Sequence, residues 1–158
     1  MRDMAKISRR KELLRKMAAM PDNVRAAVKP AIRQGAEEVV AMQKRLAPVR
    51  TGDLRASITA TYGGALPRYA SLKSASASDR GDPDLTATVT AGNDLVRYAH
   101  LVEFGAAPHV AGGKFSGAKH PGAKAEPFFY PGYRAVRRRV KTRISRAMGK
   151  AVRAGAKK

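Results

Sequence analysis

Apolar residues recur along this chain with two different periods. From Val24 they fall at Val28, Ile32, Gly35/Ala36, Val39 and Leu46, with Val40 and Met42 beside them. That is helical spacing over about six turns. Asp22 is a candidate N-cap, and Ala47 before Pro48 sets the end near residue 47. Pro30 falls in the first third, where it is expected to kink the helix or delay its start. Ahead of it, Ile7, Leu14, Met17 and Met20 mark a short amphipathic helix ending before Pro21. Near the other terminus Val136, Val140, Ile144, Met148 and Val152 recur at steps of four. They predict a final helix to about Val152 with one apolar stripe.

Between these helices the period shortens. SITATYG (57–63) reads as a strand, with Ile58 and Thr61/Tyr62 as its larger members, and LTATVTAG (85–92) is β-branched and alternating. The segment between them, GALPRYASLKSASASDRGDPD (64–84), is expected to be a long, mobile hairpin loop. NDLVRYAHLVEFG (93–105) fits alternation through Val96, Tyr98, Val102 and Phe104. Asn93 or Asp94 as a cap and Gly105 as a terminator favour a short helix instead. Residues 106–127 are rich in Gly and Pro and show no period, so they are expected to be structureless; FFYPGY (128–133) concentrates the aromatics. No internal repeat is present. These elements predict an α+β protein in which N-terminal helices and a basic C-terminal helix pack on a small antiparallel β-sheet with long loops. The expected organisation is a basic helical segment over 1–21, a single domain over 22–152 and a frayed basic tail over 153–158.

Charge changes the picture. The 158 residues carry 32 Lys+Arg against 12 Asp+Glu, a net charge of +20. Such a chain repels itself when compact and calls for an anionic partner. Residues 134–158 hold eleven bases and no acid, and the first twenty hold seven bases and two acids. Like charges three and four apart destabilise an isolated helix. Arg134, Arg137, Arg138, Arg139, Lys141, Arg143, Arg146 and Lys150 are therefore candidate contacts to the phosphates of double-stranded DNA or to an acidic protein face. A DNA contact of this kind would be non-specific, through phosphates. No helix-turn-helix, zinc finger or RNA-recognition aromatic motif is visible.

Candidate chemistry is sparse. With no Cys, thiolate nucleophiles, disulfides and Cys zinc sites are excluded. No apolar run approaches the ~18 residues of a membrane span, and the N-terminus lacks the apolar core of a signal peptide. His100 and Glu103 could share one helix face as an acid/base pair or two metal ligands; a partly exposed His beside a solvated or salt-bridged Glu is the simpler reading. His109 and His120 have no ligand spacing. AGGKFSGAKHPGAK lacks the order of a phosphate loop. In LAPVRTGDLRASI (46–58), Thr51 can N-cap a single helical turn, with Leu54 and Ile58 reaching the core. PFFYPGY could stack on bases, but an aromatic anchor pinning the last helix to the sheet is the simpler role. No enzyme activity, cofactor or metal is expected.

Three separated motifs carry a resemblance: LAPVRTGDLRASI after a long helix, YAHLVEFG after a strand, and AEPFFYPGY opening the final helix. Over roughly residues 24–152 the chain resembles a minor tail-component family of long-tailed bacteriophages and gene transfer particles. The matching positions are Pro48, Thr51, Gly52, Leu54, Ser57 and Ile58; Tyr98, Ala99, Val102, Glu103, Phe104 and Gly105; and Pro127, Phe128 and Pro131. The resemblance implies a virion structural protein of the neck or tail-completion region, assembled in the host cytoplasm. Such proteins act as rings, typically six-fold, between the head connector or stopper and the tail terminator or tail tube. It implies no catalysis and no membrane. The rival on composition alone is a free, non-specific nucleic-acid-binding protein of nucleoid or ribosomal type.

Overall fold

A computed structural model describes residues 22–63, 82–110, 112–113 and 116–155. The expected helix within 1–21 and most of the expected loop over 64–84 lie outside these residues. The fold is α+β. Its elements in chain order are helix α1 (Asp22–Leu46), a short helix α2 (Asp53–Ala56), strand β1 (Thr59–Tyr62) and a 3-10 turn (Pro83–Leu85). Strand β2 (Ala87–Thr90), helix α3 (Ala99–Phe104), strands β3 (His109–Val110) and β4 (Lys119–His120) and helix α4 (Phe129–Gly155) follow.

Helix α1 is already formed at Asp22 and runs through Pro30, so the expected delay does not occur. Pro30 and Ala26, one turn earlier, both face solvent, where water can satisfy the carbonyl that proline leaves without a donor. The stripe Val24, Val28, Ala31, Gly35, Ala36 and Val39 is buried. What it buries against departs from expectation. The principal partner of α4 is α1, and the two run antiparallel, with Gly132 beside Gln43 and Val140 beside Gly35. Contact between them is close. A Cβ on Gly35 would lie 2.6 Å from Cγ1 of Val140, and one on Gly132 would lie 2.7 Å from Cγ of Gln43. The apolar stripe of α4 also drifts. Val136 is 1% exposed but Val152 is 54% exposed, and Ala151 is buried in its place. At about 100° per residue, steps of four advance by about 40° each, so a residue sixteen on has turned to the opposite face. The helix continues past Val152 to Gly155.

The two strands form an antiparallel pair, with Thr59 opposite Thr90 and Tyr62 opposite Ala87. The strands are shorter than the sequence pattern suggests: Ser57 and Ile58 belong to the joint before β1, and Leu85 to the turn before β2. That turn is tied to α1 by Arg25 on Asp82 and Lys29 on Asp84. The core has two parts, at opposite ends of α1. Near its start, Val24 and Val28 meet Leu85 and Ala151. Near its end, Ala47, Leu54, Ile58, Val96, Ala99 and Phe128 cluster together.

Residues 106–127 are not structureless. Ala106 and Ala123 exchange two backbone hydrogen bonds at 2.9 Å, and β3 pairs with β4 beyond them. This ribbon is exposed on both faces, so it imposes no alternation of apolar and polar residues for a sequence pattern to reveal.

One ion-pair cluster spans the helix pair. Glu38 on α1 pairs with Arg139 and accepts a 2.6 Å hydrogen bond from Arg143, both on α4. That hydrogen bond and the two positive charges hold its carboxyl below the usual 4.5, against the opposing effect of burial. The folded value is depressed, so this stabilisation is complete above the unfolded value and is lost as pH falls through the folded one. Glu38→Gln should therefore lower the melting temperature at pH 7. The gap from the wild type should close as pH is taken well below 4.5 in thermal melts.

Candidate functional site

The joint after α1 is built by local rules. The helix ends with Ala47 N–H on the Gln43 carbonyl, and Pro48 follows. Gly52, at φ +92°, holds the position before α2 that was expected of Thr51. A left-handed residue there favours glycine over any β-branched side chain. Thr51 instead donates from its hydroxyl to Asp53 Oδ2 at 2.6 Å. Leu54 and Ile58 enter the core as expected, at 5% and 0% exposure. Ser57 is buried; its Oγ donates to the Leu54 carbonyl at 2.8 Å and accepts from the Gly92 N–H at 3.1 Å. This one hydroxyl fastens the joint to the end of β2.

The second motif is preceded by a turn rather than a helix cap. Asn93 Oδ1 accepts from the N–H groups of Leu95 and Val96, and α3 starts only at Ala99. Gly105 ends α3 at φ +76°, in a place where a Cβ would lie 2.8 Å from the Ala123 carbonyl oxygen. Glu103 is neither solvated nor salt-bridged. It is 6% exposed, and its carboxylate takes three backbone N–H groups: Phe128 and Phe129 on Oε2, each at 2.8 Å, and Tyr130 on Oε1 at 3.1 Å. The first N–H groups of a helix have no partner inside it, and negative charge is favoured at that end. Glu103 meets both needs for α4. Both carboxylate oxygens are thereby engaged, and His100 stands exposed on the same helix without bonding to it. The second and third motifs are one device: α3 supplies the cap, and Phe128, 0% exposed, is the anchor beside it. The anchor seats in the joint cluster with Leu54, Ile58, Val96 and Ala99.

These motifs also enclose a space. Pro48, Thr51, Gly52 and Leu54 line one side of an open cleft of ≈ 1080 Å³, and Tyr98 and Leu101 line another. The ribbon closes the third side with His109 and His120, whose rings stack at 4.9 Å. Beside the cleft, α3 leaves apolar surface in water. Tyr98 is 39% exposed, Leu101 41% and Phe104 68%, and Phe104 touches Tyr130 ring to ring at 6.1 Å. Among the described residues no group of three or more His, Asp or Glu is placed to hold a metal ion. Among them, too, no helix is long and apolar enough to cross a membrane. The recess combines apolar walls from Pro48, Leu54, Leu101 and Val102 with polar and charged residues such as Arg50, Asp53, Lys124 and Glu126.

Residues 11–105 match the family described as "Bacteriophage HK97-gp10, putative tail-component". The chain belongs to this family. No curated protein and no solved structure shows a significant match. The protein is thus a bacteriophage tail component. The matched region reaches further toward the N-terminus than the three motifs do and stops at Gly105, so it takes in the first two motifs and leaves out Pro127, Phe128 and α4. Glu103 connects the two regions physically.

The basic residues of the tail component fall into two groups. Arg139 and Arg143 are engaged within the chain by Glu38. Arg134, Arg137, Arg138, Lys141, Arg146 and Lys150 are exposed, with no carboxylate partner among the described residues. Sequence reasoning gave no role to Ser57 beyond a motif position and none to Gly132. A small residue facing a long helix carries no hydrophobic signal, and a buried hydroxyl is marked only by its spacing from Gly92.

Proposed function

We propose that this tail component is a non-catalytic ring-forming part of the phage neck, joining the head connector to the tail around the DNA channel. Copies bind one another, six-fold to match the tail, and the ring contacts a connector or stopper on one side and a terminator or tube on the other. The protein is assembled in the host cytoplasm and works in the virion. The observation that carries this reading is the cleft. The first two family motifs line it together, and the aromatic and aliphatic surface of α3 flanks it. Contiguous exposed apolar surface of this kind marks protein–protein contact sites. A cleft beyond the end of α1, away from the Val24–Leu85 cluster at the other end of that helix, suits a heterologous contact, the type that closes into a ring when the rotation between copies allows.

The test uses surface residues only. Leu101→Ser and Phe104→Ser together should leave the isolated protein folded, within about 1 kcal/mol of wild type. Supplied to a phage lacking the gene, the double variant should fail to restore infectious particles. Full restoration would remove the cleft and α3 from the assembly surface.

A further inference from the structure

The solvent side of α4 carries a second surface, distinct from the motif cleft. Two hollows of ≈ 500 and ≈ 390 Å³ adjoin there and share Thr142 and Arg146. Their floors are small residues, Ala135, Thr142 and Gly149, at steps of seven along the helix. Seven residues are nearly two turns, so these positions form a line almost parallel to the axis, about 10 Å between members. Arg138, Arg146 and Arg153 border this line and are exposed. Glu38 neutralises only Arg139 and Arg143 at one edge.

We infer that this arginine-bordered furrow on α4 binds the phosphodiester backbone of double-stranded DNA. Charge complementarity favours an anion, and three features favour DNA over an acidic protein. Residues 127–158 contain no acid, so nothing on this helix selects against a densely charged polyanion. Apart from Lys141, the cations lining the furrow are guanidinium groups, whose fork matches two phosphate oxygens at once. The floor has no large apolar or aromatic side chain, whereas a protein interface is built around such a centre. Backbone contact needs charge and shape only. From Ala135 to Arg153 the furrow runs about 27 Å along the helix, which faces about eight base-pair steps of duplex. Thr142 already donates its hydroxyl proton to the Arg138 carbonyl at 2.9 Å, so its oxygen stays available only as an acceptor. The contact is therefore carried by the arginines.

The experiment measures binding of the full-length chain to a labelled duplex of mixed sequence across a salt series. Arg138→Gln, Arg146→Gln and Arg153→Gln together remove three positive charges from the furrow. Arg45→Gln, Arg55→Gln and Arg97→Gln remove the same number from exposed positions elsewhere. The furrow variant should bind at least about tenfold more weakly, with the slope of log K against log salt reduced by about two to three. The control should keep most of the wild-type affinity, and both should melt as the wild type does. Poly-glutamate of matched charge should displace the duplex only at large excess. Equal loss in both variants would reduce the furrow to bulk charge and overturn the inference. Equal competition by poly-glutamate would assign the surface to an acidic protein instead, and no binding at low salt would end the proposal. The inference stands apart from the ring reading, because binding is read on the isolated chain and ring assembly on Leu101 and Phe104.

Discussion

Glu103→Ala will destabilise the protein by about 3 kcal/mol or more, read from urea unfolding. The figure follows from what the carboxylate does. It accepts from three N–H groups at the start of α4, and the first of them, that of Phe128, is buried. A buried donor left without a partner costs about 1–3 kcal/mol, and loss of a helix cap alone costs about 0.5–2 kcal/mol. Glu103→Gln keeps one acceptor oxygen but brings an NH₂ group toward the same donors and removes the charge, so it should fall between alanine and wild type. His100→Ala, on the same helix but exposed, should stay within about 0.5 kcal/mol. Against a total stability of about 5–15 kcal/mol, the alanine variant will lose much of its margin, and α4 will lose its fixed docking on the joint. An alanine variant as stable as wild type would mean that the cap does not hold α4.

Gly132→Ala should destabilise by about 1–3 kcal/mol, and this reverses the usual sign. In an exposed helix, replacing glycine by alanine stabilises by about 1 kcal/mol. Here the new methyl would lie 3.0 Å from Cα and 3.1 Å from N of Gln43. Backbone atoms cannot turn aside, so the helices must separate along their length. Gly35→Ala meets a different obstacle, the Cγ1 methyl of Val140 at 2.6 Å. Adding Val140→Ala should therefore recover much of the loss at Gly35 and none of the loss at Gly132. A double-mutant cycle with thermal unfolding measures this difference directly. Equal rescue at both positions would show that the two helices are not in this register.

The same details show what was legible beforehand. The long helices were readable because each buries one continuous stripe, and Val24, Val28 and Val39 fall where the period puts them. The β1–β2 pair was readable from its β-branched residues. The error at Val152 came from extending steps of four across a helix that turns every 3.6 residues. The ribbon that carries His109 and His120 was hidden because it packs against no core. The partner of α4 was misassigned to the sheet for a related reason. The helix packs tightly on α1 at Gly35 and Gly132, which add nothing to hydrophobic periodicity. At the site, the three motifs were visible as strings of residues, but their meeting was not. Glu103 and the N–H of Phe128 are 25 residues apart, and no local pattern announces a cap supplied from another element. Two of the basic residues offered as external contacts, Arg139 and Arg143, proved to have an internal acid. The other six keep the exposure that such a contact needs.

The central claim is that this tail component joins head to tail, and electron micrographs of lysates from a phage lacking the gene test it most directly. DNA-filled heads lying beside separate, unattached tails are the predicted result. Normal tailed particles in the same micrographs would contradict it.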